Sequence, residues 1–197
     1  MSTLTRQLSA ALRMLLVLTV FCGIAYPLVV LGVAQAVAHD RANGSLVDRD
    51  GTVVASMSLG QQVTDPQWFQ GRRSASEYAG DTSGGTNLGP NDPKQAQALA
   101  EARDALIAAN PNADGPPPAD ALTASASGLD PDISNAYATW QVPRVAAARG
   151  IPTDRVQSLV DDHTKGRLLG FLGQPRVNVT ELNLALADLA TGSRPAI

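Results

Sequence analysis

The chain has 197 residues, 44% of them hydrophobic, and a net charge of −3, which suits one domain of ordinary size plus an appendage. Its basic residues are scattered, so the chain lacks the electrostatic footprint of a nucleic-acid binder. Two histidines, His39 and His163, and one cysteine, Cys22, cannot supply a Cys/His zinc site or an intrachain disulfide.

The first predicted element is residues 14–38, MLLVLTVFCGIAYPLVVLGVAQAVA, which carry no charge. As a helix they reach roughly 37 Å, enough to span a bilayer. Pro27 near the middle is tolerated in such helices. Arg6 and Arg13 precede the span with no acid among the first 13 residues, whereas Asp40, Arg41, Asp48, Arg49 and Asp50 follow it. The positive-inside rule puts residues 1–13 in the cytoplasm and 39–197 outside. A cleaved signal peptide is the alternative, with Ala36-Val37-Ala38 as a small-residue site. The apolar run exceeds the ~7–15 residues of a signal core, which favours a retained anchor.

Residues 39–44 read as a polar linker, and 45–56 as a β-hairpin turning at Asp50-Gly51. Residues 57–90, rich in Gly, Ser and Gln, read as mostly loop with short strands. So long a connection must be functional or pinned by its aromatics, Trp68, Phe69 and Tyr78. Asp92-Pro93 opens a helix with Leu99, Arg103, Leu106 and Ile107 at helical spacing, stopping at Asn110-Pro111. Residues 110–120 are a stiff, proline-rich loop. Asp130-Pro131 repeats the opening device for a second helix lined by Ile133, Tyr137, Trp140 and Arg144. Pro143 should kink or end it, and Gly150 cap it. A third helix starts at Thr153 with Val156, Leu159, Val160 and His163 on one face, followed by a short strand at Leu168–Leu172. The last helix opens with the capping box Asn178/Glu181 and buries Leu182, Leu186 and Leu189. The fold class expected is α+β: one transmembrane helix, then a single extracytoplasmic domain with an N-terminal hairpin region and about four helices.

The candidate site is Ser83-Gly84-Gly85-Thr86-Asn87, small polar residues around paired glycines. Such a loop can cradle phosphate, but neither a Walker A string nor a G-x-G-x-x-G fingerprint is present. On the residues alone it reads first as a turn in which glycine supplies positive φ. Asp161-Asp162-His163 resembles a metal set, yet adjacent helical residues do not face one way, so a structural role is the simpler reading. Lys165 and Arg167 suit a helix C-terminus. Asn178-Val179-Thr180 is a glycosylation sequon that also opens a helix. No Ser/His/Asp set can be assembled.

Several ordered strings change the picture. They include Gly23-x-x-Tyr26-Pro27-Leu28, Ser83-Gly84-Gly85-Thr86-Asn87-Leu88-Gly89-Pro90 and Thr123-Ala124-Ser125-x-Ser127-Gly128-Leu129-Asp130-Pro131. Gln141-x-x-Arg144-Val145-Ala146 and Leu169-Gly170-Phe171-Leu172-Gly173-x-Pro175-Arg176-Val177-Asn178-Val179 continue them. With these, nearly the whole chain resembles the C subunit of the bacterial Kdp potassium-transporting ATPase. It departs at residues 36–43, where the family usually has Phe-Pro after the membrane glutamine, at Arg73 and at Lys165.

The resemblance implies a noncatalytic, single-pass subunit of the bacterial cell membrane. Its partners would be a channel-like potassium-translocating subunit, a P-type pump subunit that hydrolyses ATP, and a very small membrane peptide. The family is regarded as an assembly factor and catalytic chaperone that raises the pump's ATP affinity. Its Ser-Gly-Gly segment is likened to a nucleotide-contacting signature, which makes Ser83 to Asn87 nucleotide-binding candidates. No cofactor is expected to bind firmly; ATP enters through the pump subunit. Gly23, Tyr26 and Gly32 are candidates for helix packing on the channel subunit, since small residues let helices approach. The positive-inside orientation places Ser83–Asn87 across the bilayer from ATP, so stimulation would travel through the helix and assembly contacts. The competing reading is a membrane-anchored extracytoplasmic enzyme or binding module that acts alone.

Overall fold

A computed structural model describes residues 3–49 and 51–191. The chain divides into two compact units, Met1–Leu46 and Val47–Ile197.

In the first unit, α1 (Thr3–Val20), a five-residue π turn (Phe21–Ala25) and α2 (Tyr26–Val37) run on as one helix. From Thr3 to Val37 it is long and apolar enough to cross a membrane, and none of it is buried. The π turn has an identifiable cause. Pro27 has no N–H, and its ring would collide with the carbonyl four residues back in a regular α-helix. The Tyr26 amide instead bonds the Phe21 carbonyl five residues back, which widens the turn and lets the helix continue. The expected polar linker proves to be largely the helical turn α3 (His39–Ala42). The side-chain amides of Gln35 and Asn43 exchange two hydrogen bonds of 3.1 Å across it.

The second unit is α+β. β1 (Leu46–Arg49) and β2 (Thr52–Ser56) pair as a two-stranded sheet. Gly51 adopts φ +77° beside the turn, and its amide bonds Asp48 Oδ1 at 2.8 Å. Asp50, the other turn residue expected, lies outside the described residues. The helices are α4 (Pro93–Ala109), α5 (Ala119–Leu122), α6 (Asn135–Arg149), α7 (Thr153–Asp162) and α8 (Val179–Thr191). A second sheet has strand order β3 (Asp132–Ile133), β5 (Arg176–Asn178), β4 (Thr164–Lys165) and is antiparallel throughout. Its central Val177 faces Ile133 on one side and Thr164 on the other. The core gathers Phe69, Ile133, Tyr137, Val142, Val145, Val156, Val160, Val177, Leu182 and Leu186. It therefore rests on α6, α7, α8 and this small sheet.

Two local expectations are corrected and two are narrowed. Asp130 does not cap the second helix: its Oδ1 accepts from the Asp132 amide at 3.0 Å, and β3 follows. Ser134 caps α6 instead, its Oγ accepting from the Tyr137 amide at 3.0 Å. Pro143 does not end α6, which runs on to Arg149. Its lost backbone bond costs about 3 kcal/mol, and the buried Val142, Val145 and Ala146 around it offset that. Leu168–Leu172 is not a strand but a tight turn closed by reciprocal 2.9 Å bonds between its end residues. On α4, Ala102 is the buried residue, while Arg103 and Ile107 face outward.

Candidate functional site

Among the described residues no strand forms between Ser56 and Pro93, yet this stretch is held at many points. Phe69 is fully buried. Its amide donates to Asn183 Oδ1 at 2.8 Å, and its carbonyl accepts from Asn183 Nδ2 at 2.9 Å, so α8 grips the loop as a strand neighbour would. Gln70 makes the same two-way contact with the Gln141 amide of α6. Arg149 stacks over the Trp68 ring at 3.9 Å. Arg144 is buried and makes no ion pair among the described residues. Its Nε donates to Asn110 Oδ1 at 2.7 Å, and its terminal nitrogens donate to the carbonyls of Pro66 and Trp68 and to Gln141 Oε1. Burial lowers its pKa from the ordinary arginine value.

This pinning presents the loop to a second one, residues 123–131. The Gly84 amide donates to the Ser127 carbonyl at 2.9 Å, and Ser83 Oγ donates to the same oxygen at 3.1 Å. A Cβ at Gly85 would lie 3.1 Å from the Ala126 carbonyl oxygen. Gly128, at φ +71°, faces Ser74, Ser76 and the Gly84 carbonyl so closely that a Cβ would meet Ser76 Oγ at 2.4 Å. Ser74 Oγ donates to the Gly128 carbonyl at 2.7 Å and accepts from the Tyr78 amide at 2.9 Å. The Ser125 amide donates to Arg73 O at 2.8 Å, and Gly60 N to Leu129 O at 2.8 Å. Arg72 closes the edge on Asp130 at 3.3 Å and on the Ala124 carbonyl at 3.2 Å. Tyr78 donates its hydroxyl to the Arg72 carbonyl, and burial raises its pKa.

The glycines of the candidate site thus serve a purpose other than the one expected. Neither Gly84 nor Gly85 has positive φ; Asn87 does, at +54°. Gly85 is needed for close backbone approach, whereas a Cβ at Gly84 would meet nothing within 4 Å. Ser83, Thr86 and Asn87 remain exposed. In the first unit Gly23 lies in the π turn, with only Thr19 near its position for a Cβ, and Gly32 has nothing within 4 Å. Tyr26 opens α2 and is exposed.

The other sequence candidates take structural positions. His163 caps α7, its Nδ1 lying 2.8 Å from the Leu159 carbonyl oxygen. No group of three His, Cys, Asp or Glu able to hold a metal ion occurs among the described residues. Asn178 is buried, donating to the Met57 carbonyl at 2.9 Å and accepting from the Glu181 amide at 3.0 Å. Both ends of its amide are occupied, which excludes a glycan on this fold. Glu181 pairs with Lys165. An open groove of about 550 Å³ between β2, residues 60–65 and α8 has Arg49, Asp65 and Asp130 as its charged lining. Arg49 is paired with Asp188 and Asp130 with Arg72. Sequence reading missed Asn183, Gln141 and the serines 74, 125 and 127 as loop clamps. A polar residue on an apolar helix face was the available signal for the first two.

The family model KdpC, "K+-transporting ATPase, c chain", matches residues 8–188. The chain is 53% identical to the potassium-transporting ATPase KdpC subunit of Sorangium cellulosum, over 91% of this chain and 96% of that protein. It is 47% identical to the subunit of the same name from Streptomyces coelicolor, over 93% of each. With that from Paraburkholderia phytofirmans it shares 48% over 89% of this chain and 93% of the other.

Proposed function

This chain belongs to the KdpC family, the c chain of the K+-transporting ATPase, and from that premise we propose that it is a noncatalytic assembly subunit. Residues 1–13 lie in the cytoplasm, 14–38 cross the inner membrane, and 39–197 form the extracytoplasmic domain. That domain covers the outer mouth of the channel-like potassium-translocating subunit. The helix packs against the same subunit around Gly23, Tyr26 and Gly32. The remaining partners are the P-type pump subunit and the small membrane peptide. The chain raises the pump's affinity for ATP indirectly, by holding the complex in its competent arrangement, and no nucleotide contacts Ser83–Asn87.

The observation that carries this reading is the Gly84 amide bonded to Ser127 O. A phosphate cradle needs backbone amides free to converge on the anion, and this one is committed to building the domain. The glycine pair supplies the test. Gly84→Ala should leave complex recovery, potassium uptake and ATP affinity at wild-type levels, because its Cβ meets nothing. Gly85→Val should shift the loop off Ala126 and lower complex recovery, while the complexes that do form keep normal ATP affinity. An intact, transporting Gly84→Ala complex with weakened ATP affinity would overturn the proposal in favour of direct nucleotide contact.

A further inference from the structure

The middle of the membrane helix holds polar groups that the chain itself does not satisfy. Between Met14 and Ala38 the side chains able to make strong hydrogen bonds are Thr19, Tyr26 and Gln35. Gln35 is satisfied within the chain, where it exchanges two bonds with Asn43. Thr19 and Tyr26 are exposed, Tyr26 by 64%, and neither hydroxyl bonds another described residue.

The π turn adds a backbone group to this pair. In a regular helix the Cys22 carbonyl accepts from the amide four residues on, which is that of Tyr26. The Tyr26 amide goes to Phe21 instead. The next residue, Pro27, has no N–H to offer. The Cys22 carbonyl thus loses its donor in the α register and in the π register alike. Gly23 follows with no side chain, and only Thr19 comes near the place of its Cβ, at 3.9 Å. The backbone is therefore open to a neighbour at this point.

Hydrocarbon offers none of these groups a partner. Unpaired polar groups are costly there, and groups on neighbouring helices are one means of satisfying carbonyls freed by proline. Tyrosines of membrane helices gather at the two interfaces, yet Tyr26 is the midpoint of residues 14–38. We infer that residues 19–26 are a polar docking point for a neighbouring membrane helix of the complex, one that carries a hydroxyl or carboxamide side chain at the depth of Cys22 and Tyr26. The unpaired groups set that chemistry. The carbonyl needs a donor, and the two hydroxyls both give and accept. A hydroxyl or carboxamide does both without bringing a charge into the bilayer. A wholly apolar helix would leave all three groups unpaired.

The inference rests on the functional reading in that the chain spans the membrane as part of the complex, so its test is made in the intact complex. Thr19→Val and Tyr26→Phe together remove both hydroxyls and keep the shape of the helix. The double variant should be recovered with the tagged channel-like subunit about fivefold less well than the wild-type chain, as loss of two interhelical bonds. Thermal unfolding of the full chain alone in detergent should not change. Were lipid the neighbour, removing hydroxyls from hydrocarbon would cost nothing, so recovery at or above the wild-type level overturns the inference. A photo-crosslinking amino acid in place of Tyr26 identifies the neighbour by mass spectrometry of the adduct. The adduct should fall on a membrane helix within one turn of a Ser, Thr, Asn or Gln. An adduct with lipid, with a second copy of this chain or with a wholly apolar stretch overturns the inference. If the wild-type chain assembles and the double variant assembles equally well, the docking point alone is wrong. If the wild-type chain is recovered with no other subunit, the functional reading has failed and the docking point with it.

Discussion

At the scale of single residues, Arg144 holds the most connections. Its guanidinium replaces a strand: it gathers the carbonyls of Pro66 and Trp68 and the side-chain amides of Asn110 and Gln141. Arg144→Ala leaves these acceptors buried and unpaired, each costing about 1–3 kcal/mol. We expect the variant to lose about 3–5 kcal/mol of stability in denaturant titration of the full chain. A loss under about 1 kcal/mol would place Arg144 among ordinary surface residues. Spacing alone put Arg144 on the helix face with Tyr137 and Trp140, and there it lies. That it binds a loop 76 residues away in sequence, at Trp68, could not be read, because backbone carbonyls leave no mark in a sequence. The glycine pair was legible as a special place but not for its reason. Close approach depends on Ala126, which only the folded chain brings to Gly85.

Among the elements, helix ends marked by a capping residue were the legible ones. Asp92-Pro93 opens α4, Gly150 closes α6 at φ +64°, and Asn178 opens α8. Asp130-Pro131 misled because the same pair that starts a helix also makes a turn into a strand, and the β3–β5 pairing decided between them. That ladder carries a titratable group. Burial raises the Asp132 carboxyl above the usual carboxylate range, and nearby Arg176 and the Asn178 side chain lower it by less. As pH rises through the window between the ordinary and the raised value, the unfolded chain gives up its proton first. Stability therefore falls with rising pH across that window. Asp132→Asn should flatten this slope in urea unfolding measured at successive pH values, although it also gives up the 2.8 Å contact with Arg176. A slope that survives the substitution would assign it to another group.

For the whole molecule, the apolar helix and the separate α+β unit were both visible in composition, since the 25 uncharged residues 14–38 cannot be hidden from either reader or water. The three-stranded order β3-β5-β4 was not, because strands of two or three residues carry no period. The account as a whole depends on which side of the membrane the interlocked loops occupy. The measurement that tests this most directly is thiol labelling. Thr86→Cys is made in a Cys22→Ala background, leaving one thiol on an exposed residue. Intact cells are treated with a membrane-impermeant maleimide. The account predicts labelling from outside, equal to that seen after the cells are opened. Protection in intact cells, with labelling on opening them and no masking by the complex under denaturing conditions, would contradict it and put the loop beside cytoplasmic ATP.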